Sequence, residues 1–225
     1  FIIVKNTLDA LQQLAATHRK KFDIPVISVT GSNGKTTVKE WLYQLLQPDY
    51  NTVRSPRSYN SQIGVPLSVW QIGSKTEMAI FEAGISQPDE MIHLEEIIKP
   101  TLGLITNIGE AHQEGFQTIQ QKCIEKLTLL KACDCIIYDG DNELICECVE
   151  KLCFGCREIA WSRKDRDKPL YISKIIKGND STKIEYTYLQ YHSYITIPFV
   201  EDASIENAIH CLAVMLYYNL SLIHI

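Results

Sequence analysis

The stretch VISVTGSNGKTTVKEWL, residues 26–42, places a β-branched run before a Gly-Ser-Asn-Gly turn and a Lys-Thr-Thr helix start. Gly31 and Gly34 let the backbone wrap closely and aim its N–H groups inward. Lys35 adds a positive point charge, and Thr36 sets a hydroxyl at the helix N-terminus, where Mg²⁺ can take it as a ligand. The first amides and the dipole of that helix favour a phosphate at the same spot. Residues Gly31, Ser32, Asn33, Gly34, Lys35, Thr36 and Thr37 are therefore read as a phosphate cradle. The general pattern G-x-x-x-x-G-K-[ST] asks for Gly at position 29, where this chain has Val29. A plain strand-turn-helix with a surface lysine is the alternative, and the placement between strand and helix argues against it.

Those residues need a scaffold, and the sequence predicts one. A helix capped by Asn6 or Thr7 carries Leu8, Leu11 and Leu14 and closes on the basic run His18–Lys21, with Pro25 as its stop. Strand 26–30 follows, then a helix over Lys35–Leu46, a short strand near Thr52–Arg54 and a helix over Ser61–Gln71. Strands are expected at 77–85, 101–108 and 133–139, with helices at Glu90–Ile98, Ile119–Lys131 and Asn142–Leu152. Apolar strands alternating with helices predict an α/β fold, a doubly wound and mostly parallel sheet. Residues 170–199 change texture. Their alternating strands and the Gly178-Asn179-Asp180 turn predict a small antiparallel β subregion. A last helix is expected from near Ser204.

Bulk properties narrow the class. The chain has 225 residues, 45% hydrophobic and 22% charged, with a net charge of −5. That suits one globular domain with at most a small appendage, and disfavours duplex nucleic acid as the main partner. No apolar run is long enough to span a membrane, and the first residues lack the basic start of a signal peptide. The eight cysteines, at 123, 133, 135, 146, 148, 153, 156 and 211, include a Cys153–Cys156 CxxC with no second pair at zinc spacing. Reduced, mainly structural thiols in a cytoplasmic protein are expected. The closing LSLIHI, residues 220–225, resembles translated adapter read-through and is expected to carry no function.

The segment TGSNGKTT closely resembles the ATP loop of the Mur ligase family, whose shortened loop accounts for Val29. Four further stretches match that family in order and spacing: SYNSQIGVP (58–66), FEAGISQPDEM (81–91), TNIGEAHQEGF (106–116) and ENAIHCLAV (206–214). The resemblance covers roughly residues 20–219, the central ATP-binding domain taken as 23–219, with 1–22 as a connecting helix and the flanking domains absent. It is strongest to members that join D-alanyl-D-alanine to UDP-N-acetylmuramoyl-tripeptide through an acyl phosphate in peptidoglycan precursor synthesis. The implied cofactors are ATP and two Mg²⁺ ions.

The resemblance also implies residue roles. Lys35 and the loop amides hold the β- and γ-phosphates, and Thr36 and Glu82 hold one Mg²⁺. Glu82 ends a strand at the carboxyl edge of the sheet, where such sheets bind ligands, and a carboxylate there is a hard oxygen ligand. A solvated strand-end glutamate is the alternative. His112 matches the family's ligand to the second Mg²⁺. Lys126, fourteen residues on, matches a lysine carbamylated by CO₂, with Lys122 as its rival one helical turn earlier. Carbamylation needs a neutral amine, which burial near cations favours. Asn107 is a polar contact at the same strand end as His112, or a turn cap. Asn60 matches a residue that approaches the acceptor substrate, or caps a helix. Asn207 matches an adenine contact, although EDAS (201–204) departs from the usual Gly-x-His-Asn before it. Asp141 faces the nucleotide or caps a helix.

Three other functions compete. A folylpolyglutamate synthase shares the fold and mechanism, but SQIGVP and FEAGISQP lean away from it. A GTPase switch needs an Asn-Lys-x-Asp that the sequence lacks. A nucleotide-binding module without catalysis is the third.

Overall fold

The computed structural model describes residues 3–109 and 115–220. Among them, nine strands form one sheet in the order β2-β3-β1-β4-β5-β6-β7-β8-β9. Strands β1 (Val26–Thr30), β2 (Thr52–Arg54), β3 (Met78–Glu82), β4 (Leu102–Ile105), β5 (Cys135–Asp139) and β6 (Arg157–Ser162) run parallel. β7 (Leu170–Lys177) joins parallel to the end of β6, and β8 (Thr182–Tyr188) and β9 (Tyr191–Ile197) follow antiparallel. β1 is the switch point: the chain leaves it for β2 and β3 on one side, then returns through β4 on the other. Ligands of open α/β sheets bind outside the carboxyl ends of strands at such a point.

Period-two alternation sends neighbouring side chains to two separate cores. Ile27, Val29, Met78, Ile80, Leu102 and Leu104 face α2 (Lys35–Leu46) and α7 (Asp202–Tyr217). Val26, Ala79, Phe81 and Ile105 face the other layer. That layer holds α1 (Thr7–Arg19), α3 (Gly64–Val69), α4 (Glu90–Ile98), α5 (Ile119–Thr128) and α6 (Glu143–Leu152). The strands buried on both faces read as continuous apolar runs for this reason.

The structure corrects several expectations. β6 lies between Leu152 and Leu170, where the sequence predicted no element. The antiparallel strands extend the main sheet and are covered on one face only, where Ile172, Ile184, Tyr186, Ile195 and Ile197 meet the α7 core. α3 is shorter than Ser61–Gln71, because residues 60–63 leave the helix to make specific contacts. α5 ends at Thr128 rather than Lys131, in a tight turn where Leu129 N–H and Leu130 N–H donate to Lys126 and Leu127 carbonyls. β4 stops at Ile105, and residues 106–108 instead approach the turn after β1.

α1 is tied into this body. Asn6 caps it by accepting from Leu8 N–H, and its far end is pinned by buried Arg19. The Arg19 guanidinium donates to Ile98 O at 2.9 Å and Lys99 O at 3.3 Å, at the end of α4, and to Phe22 O at 2.5 Å, just after α1. Charged donors to buried carbonyls are strong contributors, and their loss strands the acceptors. Arg19→Met is expected to destabilise the protein by about 2–4 kcal/mol in urea unfolding, against less than about 0.5 kcal/mol for exposed Lys20→Met.

Candidate active site

The turn after β1 is shaped by two glycines. Gly31 has φ +136° and Gly34 φ +81°, a region costly for L side chains. Space forbids a side chain as well. A Cβ on Gly31 would lie 2.0 Å from Thr106 Oγ1, and one on Gly34 would lie 2.4 Å from Asn207 Oδ1. The turn is laced to the end of β4. Ser32 N–H donates to Asn107 O at 2.8 Å, and Asn33 N–H donates to Asn107 Oδ1 at 3.0 Å. Thr106 Oγ1 donates to Asn33 O at 2.6 Å. Asn107 thus braces the turn, with the Ser32 and Asn33 amides directed at it. Val38 N–H makes the first helical bond, to Gly34 O, so the Lys35, Thr36 and Thr37 amides form the N-terminal donors of α2.

Lys35 Nζ donates to Gly31 O at 2.9 Å and Ser32 O at 3.0 Å. Burial lowers its pKa; the Glu82 charge opposes this and Lys122 adds to it. Glu82, 1% exposed at the end of β3, accepts from Thr36 Oγ1 at 2.8 Å and from Asn60 Nδ2 at 2.6 Å. The expected pair of hard oxygen donors, Thr36 and Glu82, therefore stands together at the start of α2, which suits a divalent cation. Asn60 is not a helix cap: α3 begins at Gly64, whose N–H donates to Ser61 Oγ, while the Asn60 amide orients Glu82.

Sequence reasoning missed Lys39. It is fully buried one turn beyond Lys35, with Nζ 4.0 Å from Glu82 Oε2 and 3.0 Å from Glu40 Oε1. It also donates to Ser55 O at 2.9 Å and to Arg57 O. The signal was present: Lys39 interrupts the Val38, Leu42, Leu45 and Leu46 stripe, where a charge needs a buried partner.

The two candidate lysines of α5 separate. Lys126, 4% exposed, lines a cleft of about 470 Å³ with Gly31, Ser32, Lys35 and Asn60. Burial brings its amine down to about 8, and Lys35 and Lys122 push the same way. Lys122 Nζ donates to Gly109 O at 2.6 Å, and Gly109 N–H donates to Ser32 Oγ at 2.9 Å, so Lys122 braces the turn from α5. His112 lies outside the described residues. Asp141 does not cap α6; Asn142 does, while Asp141 accepts from Ser162 Oγ and Arg163 N–H. All eight cysteines are free thiols, and no group of three or more His, Cys, Asp or Glu among the described residues is placed to hold a metal. No described helix is long and apolar enough to cross a membrane.

Gly34 and Asn207 generate a test of this packing. Gly34→Ala is expected to cost more than about 2 kcal/mol in urea unfolding, from a left-handed backbone plus a collision. Adding Asn207→Ala should return the steric share, so the double variant should exceed the additive stability by about 0.5 kcal/mol or more.

Comparison with known proteins places the chain in a family. A family model, the Mur ligase middle domain, matches residues 29–215. A UDP-N-acetylmuramoyl-tripeptide--D-alanyl-D-alanine ligase of Buchnera aphidicola subsp. Baizongia pistaciae is 30% identical over 224 residues, covering 98% of this chain and 48% of the relative. The enzyme of that name from Borreliella burgdorferi is 40% identical over 130 residues, 58% of this chain and 28% of the relative. The crystal structure of MurF from Acinetobacter baumannii superposes with a TM-score of 0.89 at 25% identity, over 99% of this chain and 49% of that one. The chain thus spans about half the length of the relatives it matches end to end. With the glycine-bent turn, the Thr36–Glu82 pair and the match over residues 29–215 in one frame, the chain belongs to the Mur ligase family and carries its middle domain.

Proposed function

We propose that the protein is an ATP-dependent ligase that joins D-alanyl-D-alanine to the carboxylate of UDP-N-acetylmuramoyl-tripeptide in peptidoglycan precursor synthesis. One observation carries the reading: the turn with Lys35, Asn60 and the buried Lys126 amine line a single cleft, and Asn60 is bonded to the Glu82 that pairs with Thr36. The relatives that match nearly the whole chain bear this name.

The chemistry accounts for the residue types. A carboxylate is a poor electrophile, so its oxygen attacks the γ-phosphorus of ATP, ADP leaves, and an acyl phosphate forms. The amine of the dipeptide then attacks the acyl carbon, and phosphate departs. Two anions must approach each other first, so catalysis rests on positioning and charge compensation. The α2 amides and the Lys35 ammonium take the phosphate charge. Thr36 and Glu82 would hold a Mg²⁺ ion, which supplies further positive charge when bound. Asn60 holds the Glu82 carboxylate in register and stands at the cleft toward the acceptor. Asn207 backs the turn and would meet the adenine. The Lys126 amine would add to CO₂, losing a proton to give a carbamate, a carboxylate-like ligand for a second ion alongside His112.

In the complete protein, phosphate release should need ATP, UDP-N-acetylmuramoyl-tripeptide and D-alanyl-D-alanine together. Lys35→Ala should lower it by about 10³-fold or more with an unchanged melting temperature. Retained turnover in that variant refutes the phosphate role. Lys126→Ala should be inactive and partly restored by added short carboxylates. A Lys with pKa near 8 gains neutral amine as pH rises through 8. The ¹³C carbamate signal from labelled CO₂, at fixed dissolved CO₂, should therefore grow up to about tenfold between pH 7 and 9. Absence of that signal at every pH removes the carbamate from the mechanism.

A further inference from the structure

We propose that His210 is a positioning residue for the phosphate turn, acting through Thr106, with its ring state set by Trp161. His210 sits inside α7, 1% exposed, and both ring nitrogens are engaged. Trp161 Nε1–H, which can only donate, gives its proton to His210 Nδ1 at 3.2 Å. Nδ1 is therefore the acceptor, and Nε2 carries the proton and donates it to Thr106 O at 3.1 Å. The indole and imidazole also meet edge to face, with centroids 5.4 Å apart.

Residue 106 is where this reaches the site. Its hydroxyl donates to Asn33 O at 2.6 Å and occupies the space that a side chain on Gly31 would need. Its backbone N–H donates to Thr30 O at 3.0 Å. Thr106 is held from one side by β1 and from the other by His210, and the turn is built against it. A second proton on the imidazole would face the indole N–H and bury an unpaired charge. Burial accordingly holds the imidazole down at about 4, despite the opposing bond to Thr106 O. A neutral, single-tautomer ring is a fixed donor, and Asn207, three residues earlier on α7, touches Gly34. One helix therefore sets both glycine positions of the turn.

The inference rests on reading that turn as a nucleotide site, so the test has one arm without nucleotide. Wild type, His210→Gln, His210→Ala and Trp161→Phe are compared in the complete protein. Glutamine keeps one acceptor and one donor. Without nucleotide, amide hydrogen exchange at Ser32 and Asn33 should rise about tenfold in His210→Ala, about threefold in Trp161→Phe, and less than twofold in His210→Gln. With ATP, the ATP KM should rise in the same order while the KM for D-alanyl-D-alanine stays constant. A merely structural role would lower the melting temperature and the active fraction without moving the ATP KM. Unchanged exchange and unchanged ATP KM in Trp161→Phe and His210→Ala overturn the proposal. If His210→Ala does not fold, Trp161→Phe against wild type decides by the same criterion. A wild-type protein that binds no ATP refutes the functional reading, while the exchange arm still decides the role of His210.

Discussion

The glycine-bent turn after β1 depends on its contact with the end of β4. Three residues of one segment, Thr30, Ser32 and Asn33, are tied to two residues of another, Thr106 and Asn107, through backbone and side-chain bonds. A turn bent by two glycines has high conformational freedom when unfolded and little local preference for one shape. The lacing supplies what the turn lacks. It also leaves the first amides of α2, from Lys35 to Thr37, without helical partners. Parallel neighbours β1 and β4 thus cooperate at their carboxyl ends, where the sheet topology leaves a crevice.

Around that turn the protein concentrates lysines, three of them buried and Lys35 half-buried. Lys35, Lys39, Lys122 and Lys126 approach a region whose described carboxylates include Glu82, Glu40 and Glu90. Their charges are distributed rather than shared. Lys39 neutralises Glu82 and Glu40 and satisfies two carbonyls, so it is a permanent part of the fold. Lys122 is bonded to the Gly109 carbonyl. Among the described residues, Lys35 Nζ donates to carbonyls of its own turn, and Lys126 is depressed to about 8 by burial and by its neighbours. Burial makes every cation here costly unless it is paired.

Much of the frame was legible in the sequence. Strand 26–30, the helix over Lys35–Leu46 and the helix over Glu90–Ile98 match their predicted limits because apolar periodicity and breakers coincide there. The turn chemistry was legible because glycine, lysine and threonine sit at mechanically required offsets. The pairing of Thr36 with Glu82 required family resemblance, since forty-six residues separate them. Other features were hidden by long-range context. β6 carries Arg157 and Glu158 at its exposed start and drew no prediction from the sequence, although β5 pairs with Arg157 to Trp161. Asn60 and Asp141 both looked like caps, since Asn and Asp do cap helices; tertiary partners, Glu82 for one and Ser162 with Arg163 for the other, claimed them instead. Lys39 was overlooked because a lysine on an amphipathic helix is ordinarily solvated.

The Gly34–Asn207 and Thr106–His210 contacts place the last described helix behind the first turn. The second of them closes a separation of 104 residues. Contacts of that span form late, after the shorter loops have closed. During synthesis, then, the phosphate turn emerges early but lacks its rear wall until α7 has left the ribosome. A chain stalled before residue 207 would carry every residue of the glycine-rich motif and still hold no finished anion cradle.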